Sequence, residues 1–224
     1  MATFYKDSRQ VYRVGELARL EWLECGFGTR ASGRWTEGSV VSPRQVHSDV
    51  CLLVDRVPEE PPASDALLTS TPGLLLAVRT ADCLPILIVD PRCRAVAAVH
   101  AGWRGTAGAV SARAVQEMAR HFASRPEELQ VAIGPGICGR CYEVGPEVAR
   151  RFSPWLPELA DASRPLLVDL AEVNRRQLFA QGVPLGSIHT GAPCTACSEA
   201  EFYSYRRERA NAGRMLSAIG IRPR

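Results

Sequence analysis

Between Gly73 and His100 the chain carries three apolar runs in close succession, GLLLAVRT, LPILIVD and AVAAVH. Each is bounded by polar residues or proline, and each is too short for a buried helix, so the three read as buried strands. A chain that must bury three such strands needs further layers to cover them, and the flanking sequence supplies both kinds. After the turn AGWRGTAG, Val115, Met118, Ala119 and Phe122 recur at helical spacing and predict a helix of roughly four turns. VAIGPGI reads as another buried strand that runs into a Gly/Cys loop, and GPEVARRF restarts a helix with Pro146 in its first turn. Asp169 and Glu172 have capping-box spacing, Leu170 and Val173 give that helix an apolar face, and Gly182 stops it. Ser187–Thr190 predicts a short strand. EFYSYRRERANAGRMLSAIGI predicts a polar-aromatic strand, a turn and a final apolar strand.

Upstream, short strands are joined by a Gly/Ser/Arg-rich stretch around Ala31–Gly38 that reads as a mobile loop. A further strand is expected around Val50–Val54, and the prolines of VPEEPPAS break it. Strands outnumber helices but both recur, so the class is α+β with mixed β-sheets. With 224 residues, no internal repeat and no low-complexity segment, the expectation is a single domain over 1–224.

The composition excludes several functions. Hydrophobic residues at 46% and charged residues at 23% are ordinary for a folded domain and argue against disorder. The net charge of +3 comes from scattered arginines, Lys6 being the only lysine, with no like-charge run and no interleaved aromatics, so nucleic acid is not an expected partner. No stretch reaches the ~18 apolar residues of a membrane span, and the N-terminus lacks the pattern of a secretory signal. These features predict no membrane association and a cytoplasmic location, where the eight cysteines would be kept reduced.

Three residues stand out chemically. Cys83, in RTADCLP, lies where one apolar strand ends and the next begins. His100 ends AVAAVH, and His47 lies in QVHSDV just before another strand. Two imidazoles and a thiolate match a catalytic zinc site, which uses three protein ligands and leaves the fourth position for water. The separations, 36 residues from His47 to Cys83 and 17 from Cys83 to His100, are not those of a compact zinc finger. A Cys–His nucleophile pair and a purely structural role therefore remain open on the residues alone. Beyond His100, Gly105, Thr106 and the following amides at a helix start, with Arg104 beside them, suit a phosphate. Cys138-x2-Cys141 and Cys194-x2-Cys197 look like halves of a zinc ribbon. The 52 residues between them far exceed the ~15–20 usual in that pattern, so no shared metal site is expected, and Cys138 and Cys141 are assigned to a pocket wall.

The motifs QVHSD, DALLTSTPG, TADCLPILIVDP, AVHAGWRGTAG, IGPGICGRCYEVG and FYSYRRE with GRMLSAIG resemble, in order, those of the laccase-domain or YfiH-like family. The resemblance runs from about Gly26 to the C-terminus, and the chain is short ahead of GFGTR. It implies a layered α-β-β-α sandwich. It also implies zinc held by His47, Cys83 and His100, which would double as the catalytic residues, and phosphorolysis of purine nucleosides (adenosine, inosine, guanosine and methylthioadenosine) with deamination of adenosine to inosine. Purine nucleosides and phosphate are then the expected partners, with Gln45, Asp82 and Arg104 as candidate substrate-binding residues. The family's older multicopper label conflicts with a chain whose only histidines are His47, His100, His121 and His189, so copper is expected only as an adventitious replacement of zinc. The rival readings are a metal-free Cys83–His100 amide or ester hydrolase and a non-catalytic zinc-stabilised interaction module.

Overall fold

The computed structural model describes residues 4–223. The chain opens with β1 (Phe4–Lys6), β2 (Tyr12–Val14), α1 (Gly15–Ala18), β3 (Leu23–Phe27), β4 (Ser39–Val41), β5 (Cys51–Leu53) and β6 (Ala66–Thr69). The three apolar runs form β7 (Leu74–Thr80), β8 (Leu84–Asp90) and β9 (Ala95–Ala101). Then come α2 (Trp103–Ala107), α3 (Val110–Phe122), β10 (Gln130–Ile133), β11 (Glu143–Val144), α4 (Pro146–Ala149) and β12 (Leu166–Leu167). The chain ends with α5 (Leu170–Ala180), β13 (Ile188–His189), α6 (Tyr205–Glu208) and β14 (Met215–Ile221).

Two six-stranded sheets, ordered β1-β2-β3-β14-β7-β4 and β13-β10-β8-β9-β6-β5, account for the class. Both are mixed: β4–β7, β5–β6 and β10–β13 pair in parallel and the other neighbours are antiparallel. Every residue of β8 and β9 is buried because the second sheet is covered on both faces, and the side chains alternate between them. Leu84, Ile86 and Ile88 with Ala97 and Val99 meet the helical layer, where α3 supplies Val110, Ala114, Val115 and Met118. Their neighbours Leu87, Val89, Val96 and Ala98 face the first sheet and pack with Leu76, Val78, Phe27 and Ile219. On the far side of the first sheet, Val11, Ala77 and Ala218 are covered by Trp35. The indole, 3% exposed with Nε1 donating to the Leu216 carbonyl, ties down the stretch read as a mobile loop.

Local chemistry sets the ends of the helices. Asp169 caps α5 by accepting from the Ala171 and Glu172 amides, while Glu172 pairs with Arg175 and Arg176 instead of completing the capping box. The helix after AGWRG is divided in two at Ala109, which sits at φ 59°. One expectation is overturned: the polar-aromatic segment before β14 is helical, not a strand. The Ser204 side chain caps α6 by accepting from the Arg207 amide, and this local bond favours a helix start over a ladder. β4 and β6 went unrecognised in the sequence, being short and embedded among prolines and turn residues. Among the described residues no helix is long and apolar enough to cross a membrane.

Register gathers the chemistry at one end of the second sheet. Leu84 pairs with Ala101 and Pro85 with His100, so the start of β8 lies beside the end of β9, and Ala66 pairs with Val99 to bring the start of β6 alongside. β10, antiparallel to β8, and β13, parallel to β10, also end there. The first sheet is closely fitted at β14, where a Cβ on Gly220 would collide with the Leu74 carbonyl oxygen. Gly220→Ala must displace backbone and should cost roughly 1–3 kcal/mol in urea unfolding; equal stability of the variant and the parent would contradict this packing.

Candidate metal centre

The site is built around Asp65, which sits fully buried ahead of β6. Its carboxylate accepts from the backbone amides of Val46, His47 and Ser48, from the Ser48 hydroxyl, and from His100 Nδ1 at 2.8 Å. Three successive amides around one carboxylate form an anion-binding nest. The nest holds His47 at φ 60°, a left-handed conformation that a residue with a side chain adopts only when its surroundings compel it. On the other side of the cleft Asp82, at φ 86°, turns the chain from β7 into β8 and presents Cys83.

His47, Cys83 and His100 thereby converge, with their ligand atoms all within 4.8 Å of one another. The two imidazoles meet edge to face with centroids 4.9 Å apart. Gly102 closes the cradle: a Cβ there would stand 3.0 Å from Cys83 Sγ and 3.1 Å from His47 Cδ2. The electrostatics follow from burial and pairing. Burial opposes ionisation of Asp65, but hydrogen bonds from His100 and Ser48 outweigh it and bring its carboxyl down to about 2. Burial likewise disfavours a charged His100, yet its bonds to Asp65 and Cys83 raise it to about 9. Burial pushes the Cys83 thiol up, and the hydrogen bonds with His100 and His47 reverse this to about 7. Two imidazoles and a readily ionised thiol fit a zinc ion, and the Asp65–His100 bond is the type of support that orients a ligating imidazole.

These groups lie in a cleft of about 920 Å³. Arg79, Arg104, Arg206, Arg209 and Arg214 line it, and among the described residues none of the five is paired with a carboxylate. Such a field favours an anionic ligand. Trp103, Tyr142 and Tyr205 add aromatic surface, with the Arg104 guanidinium 4.5 Å from the Trp103 ring centroid and that of Arg206 5.3 Å from Tyr142.

Of the remaining residues singled out in the sequence, Gln45 lines the cleft and pairs through both ends of its amide with the Arg79 backbone. The Asp82 carboxylate is occupied by Thr195 Oγ1, Ser204 Oγ and the Arg206 amide, so it positions Cys83 and the C-terminal arginines. Arg104 faces the cleft, but the Thr106 amide expected to be free beside it bonds the Gly102 carbonyl. Although their separation along the chain argues against it, Cys138, Cys141, Cys194 and Cys197 come together, with their sulfurs all within 4.8 Å of one another. His121 and His189 belong to neither group: they lie on α3 and β13, near Glu117 and Gln130 respectively. Sequence reasoning missed Asp65, Arg79 and Tyr142, and it missed Arg206, Arg209 and Arg214. The last three share the stretch RRERANAGR, a local density of charge that was legible.

Fold and site together define an α+β protein with a two-His, one-Cys centre in a basic cleft. Residues 29–222 match the family model described as multi-copper polyphenol oxidoreductase laccase, and the chain belongs to that family. It is 43% identical over 157 residues to a protein of Deinococcus radiodurans named purine nucleoside phosphorylase, a match covering 70% of this chain and 61% of that one. It is 38% identical over 195 residues to a protein of an unknown prokaryotic organism named adenosine deaminase RL5, covering 80% and 74%. The match thus spans about three-fifths of the Deinococcus relative's length. The crystal structure of YlmD from Geobacillus stearothermophilus superimposes with a TM-score of 0.87 at 30% identity, covering 99% of this chain and all of that one. That of YfiH from Bacillus licheniformis gives 0.88 at 27%, with the same coverage.

Asp65→Ala would leave His100 without its buried partner and the 46–48 amides without an acceptor. Breaking a buried pair from one side costs about 3–5 kcal/mol, so chemical denaturation should show a loss of that order. A loss below ~1 kcal/mol would mean that the nest does not hold the site.

Proposed function

We propose that this chain is a zinc enzyme acting on purine nucleosides, cleaving them with phosphate and deaminating adenosine. The observation that carries the reading is the convergence of His47, Cys83 and His100 in an arginine- and aromatic-lined cleft, in a chain whose relatives are named purine nucleoside phosphorylase and adenosine deaminase. Zinc held by the three side chains would supply Lewis-acid chemistry at its open fourth position. Trp103 and Tyr142 offer flat apolar surface to a purine. Arg104, with the neighbouring arginines, takes the phosphate whose oxygen attacks the anomeric carbon as the glycosidic bond breaks and the base leaves with its electron pair. In deamination water adds at the amino-bearing carbon and ammonia departs, so the phosphate site stays idle. Gln45 holds the β7 edge of the cleft and Asp82 fixes Cys83, both acting through their neighbours.

A specific observation also favours a second reading. Asp65 is hydrogen-bonded to His100, and the ligand atoms of His100 and Cys83 lie within 4.8 Å, the order of groups in a metal-free thiol hydrolase with a base and its orienting carboxylate. Adenosine incubated with zinc-loaded and zinc-stripped protein, with and without phosphate, decides between them. Adenine with ribose phosphate, or inosine, formed only by the loaded protein supports the zinc enzyme. A zinc-free protein that hydrolyses an ester and is stopped by iodoacetamide supports the hydrolase, and loss of fold on stripping with no turnover supports the interaction module.

Within the first reading, Arg104→Ala should lower phosphate-dependent turnover about 10- to 100-fold, from a charge-assisted contact of roughly 1.5–3 kcal/mol, while deamination at low phosphate survives. Equal loss of both activities at an unchanged melting temperature would move Arg104 from phosphate to nucleoside binding.

A further inference from the structure

We propose that Cys138, Cys141, Cys194 and Cys197 bind one structural zinc ion, separate from the centre in the cleft. β10 and β13 are parallel neighbours, so the loops that leave them run side by side, and an isolated bridge pairs Gly136 with Cys194. Adjacency of the strands therefore brings together two Cys-x2-Cys turns that lie far apart along the chain. The turns share their hydrogen bonding: the Cys141 amide donates to the Cys138 carbonyl at 2.9 Å and the Ser198 amide to the Cys194 carbonyl at 3.0 Å. The Cys138 amide donates across to Cys194 Sγ at 3.2 Å, the kind of N–H···S contact that supports a thiolate.

All four sulfurs lie within 4.8 Å of one another, with Cys141 Sγ and Cys197 Sγ 3.3 Å apart, and all four are free thiols. Zinc–sulfur bonds of about 2.3 Å in a tetrahedron place the sulfurs roughly 3.8 Å apart, so the cluster needs only small shifts to take the ion. Four protein ligands leave no open position, the mark of a structural site. Arg207 donates to the Thr195 and Ala196 carbonyls and so braces the second turn, while Arg140, between the first two cysteines, brings positive charge to a site that four thiolates would leave negative.

The placement gives the ion a task. The Ile137 amide donates to the Asp82 carbonyl, and Thr195 Oγ1 donates to the Asp82 carboxylate at 2.6 Å. Each of these groups is adjacent in sequence to a proposed ligand, so the ion would clamp the two segments that fix Asp82, and with it Cys83.

The test uses Cys83→Ser, which removes the thiolate from the cleft so that thiolate-to-metal charge transfer there is lost and the signal reports the cysteine cluster. Titration with Co2+ under reducing conditions should give one equivalent bound, with thiolate-to-cobalt charge transfer and the visible bands of a tetrahedral four-sulfur site, all lost when one equivalent of Zn2+ is added. Adding Cys138→Ser and Cys141→Ser should abolish the bands. Absence of charge transfer in Cys83→Ser, its persistence in the triple variant, or thiol titration showing that the four cysteines pair as disulfides under the same conditions would each overturn the proposal. Because the measurement is on Cys83→Ser itself, it stands whether or not the triple variant folds, and its failure would leave the reading of the cleft untouched.

Discussion

The buried carboxylate of Asp65 is the interaction on which the rest of the site depends. An isolated ionised carboxylate in a protein interior is costly, and this one is tolerated because five donors surround it. Those donors are also the means by which it acts. The amides of Val46, His47 and Ser48 can converge only if the chain turns through a left-handed residue, and that residue is His47. The bond to His100 Nδ1 leaves Nε2 to face Cys83, and the same bond draws positive charge onto the ring next to a thiol. One buried charge thus sets the backbone of one donor, the orientation of a second and the ionisation of the third.

The sheets make that arrangement affordable. With β8 and β9 buried on both faces, the second sheet is a rigid slab between the first sheet and the helices, and its register leaves little freedom to the loops at its end. Cys83 and His100 are the positions just outside and just inside the last rungs of the β8–β9 ladder. The cleft then takes its charge from loops and short helices, where arginines can line a cavity without entering the core. Loop 134–142 serves both parts of the molecule, contributing Tyr142 to the cleft and Cys138 and Cys141 to the sulfur cluster.

What could be read in the sequence follows from which signals are local. The three strands were legible because burial on both faces writes itself as unbroken apolar runs. α3 and α5 were legible through helical spacing and the Asp169 cap. His47, Cys83 and His100 could be singled out because each is a metal-binding residue type at a strand end, although nothing local shows that those ends meet. Asp65 was invisible for the complementary reason: an aspartate before a short strand is ordinary, and its importance lies wholly in what two other segments, 46–48 and the end of β9, do around it. The cysteine pairs were misjudged because spacing along the chain was used as a proxy for spacing in the fold, whereas the parallel pairing of β10 with β13 makes the intervening residues irrelevant. The segment around Tyr205 was misread because aromatic content suggested a strand, while a single serine cap decided for a helix.

The most direct measurement of the claim that Asp65 organises the donors is the protonation of the His100 ring, read by nitrogen-15 NMR of the zinc-loaded protein. Asp65 accepting from Nδ1 predicts a proton on Nδ1 and a metal-shifted resonance from Nε2. A proton found on Nε2 with Nδ1 bare, or a ring spectrum that does not respond to zinc, would contradict the account.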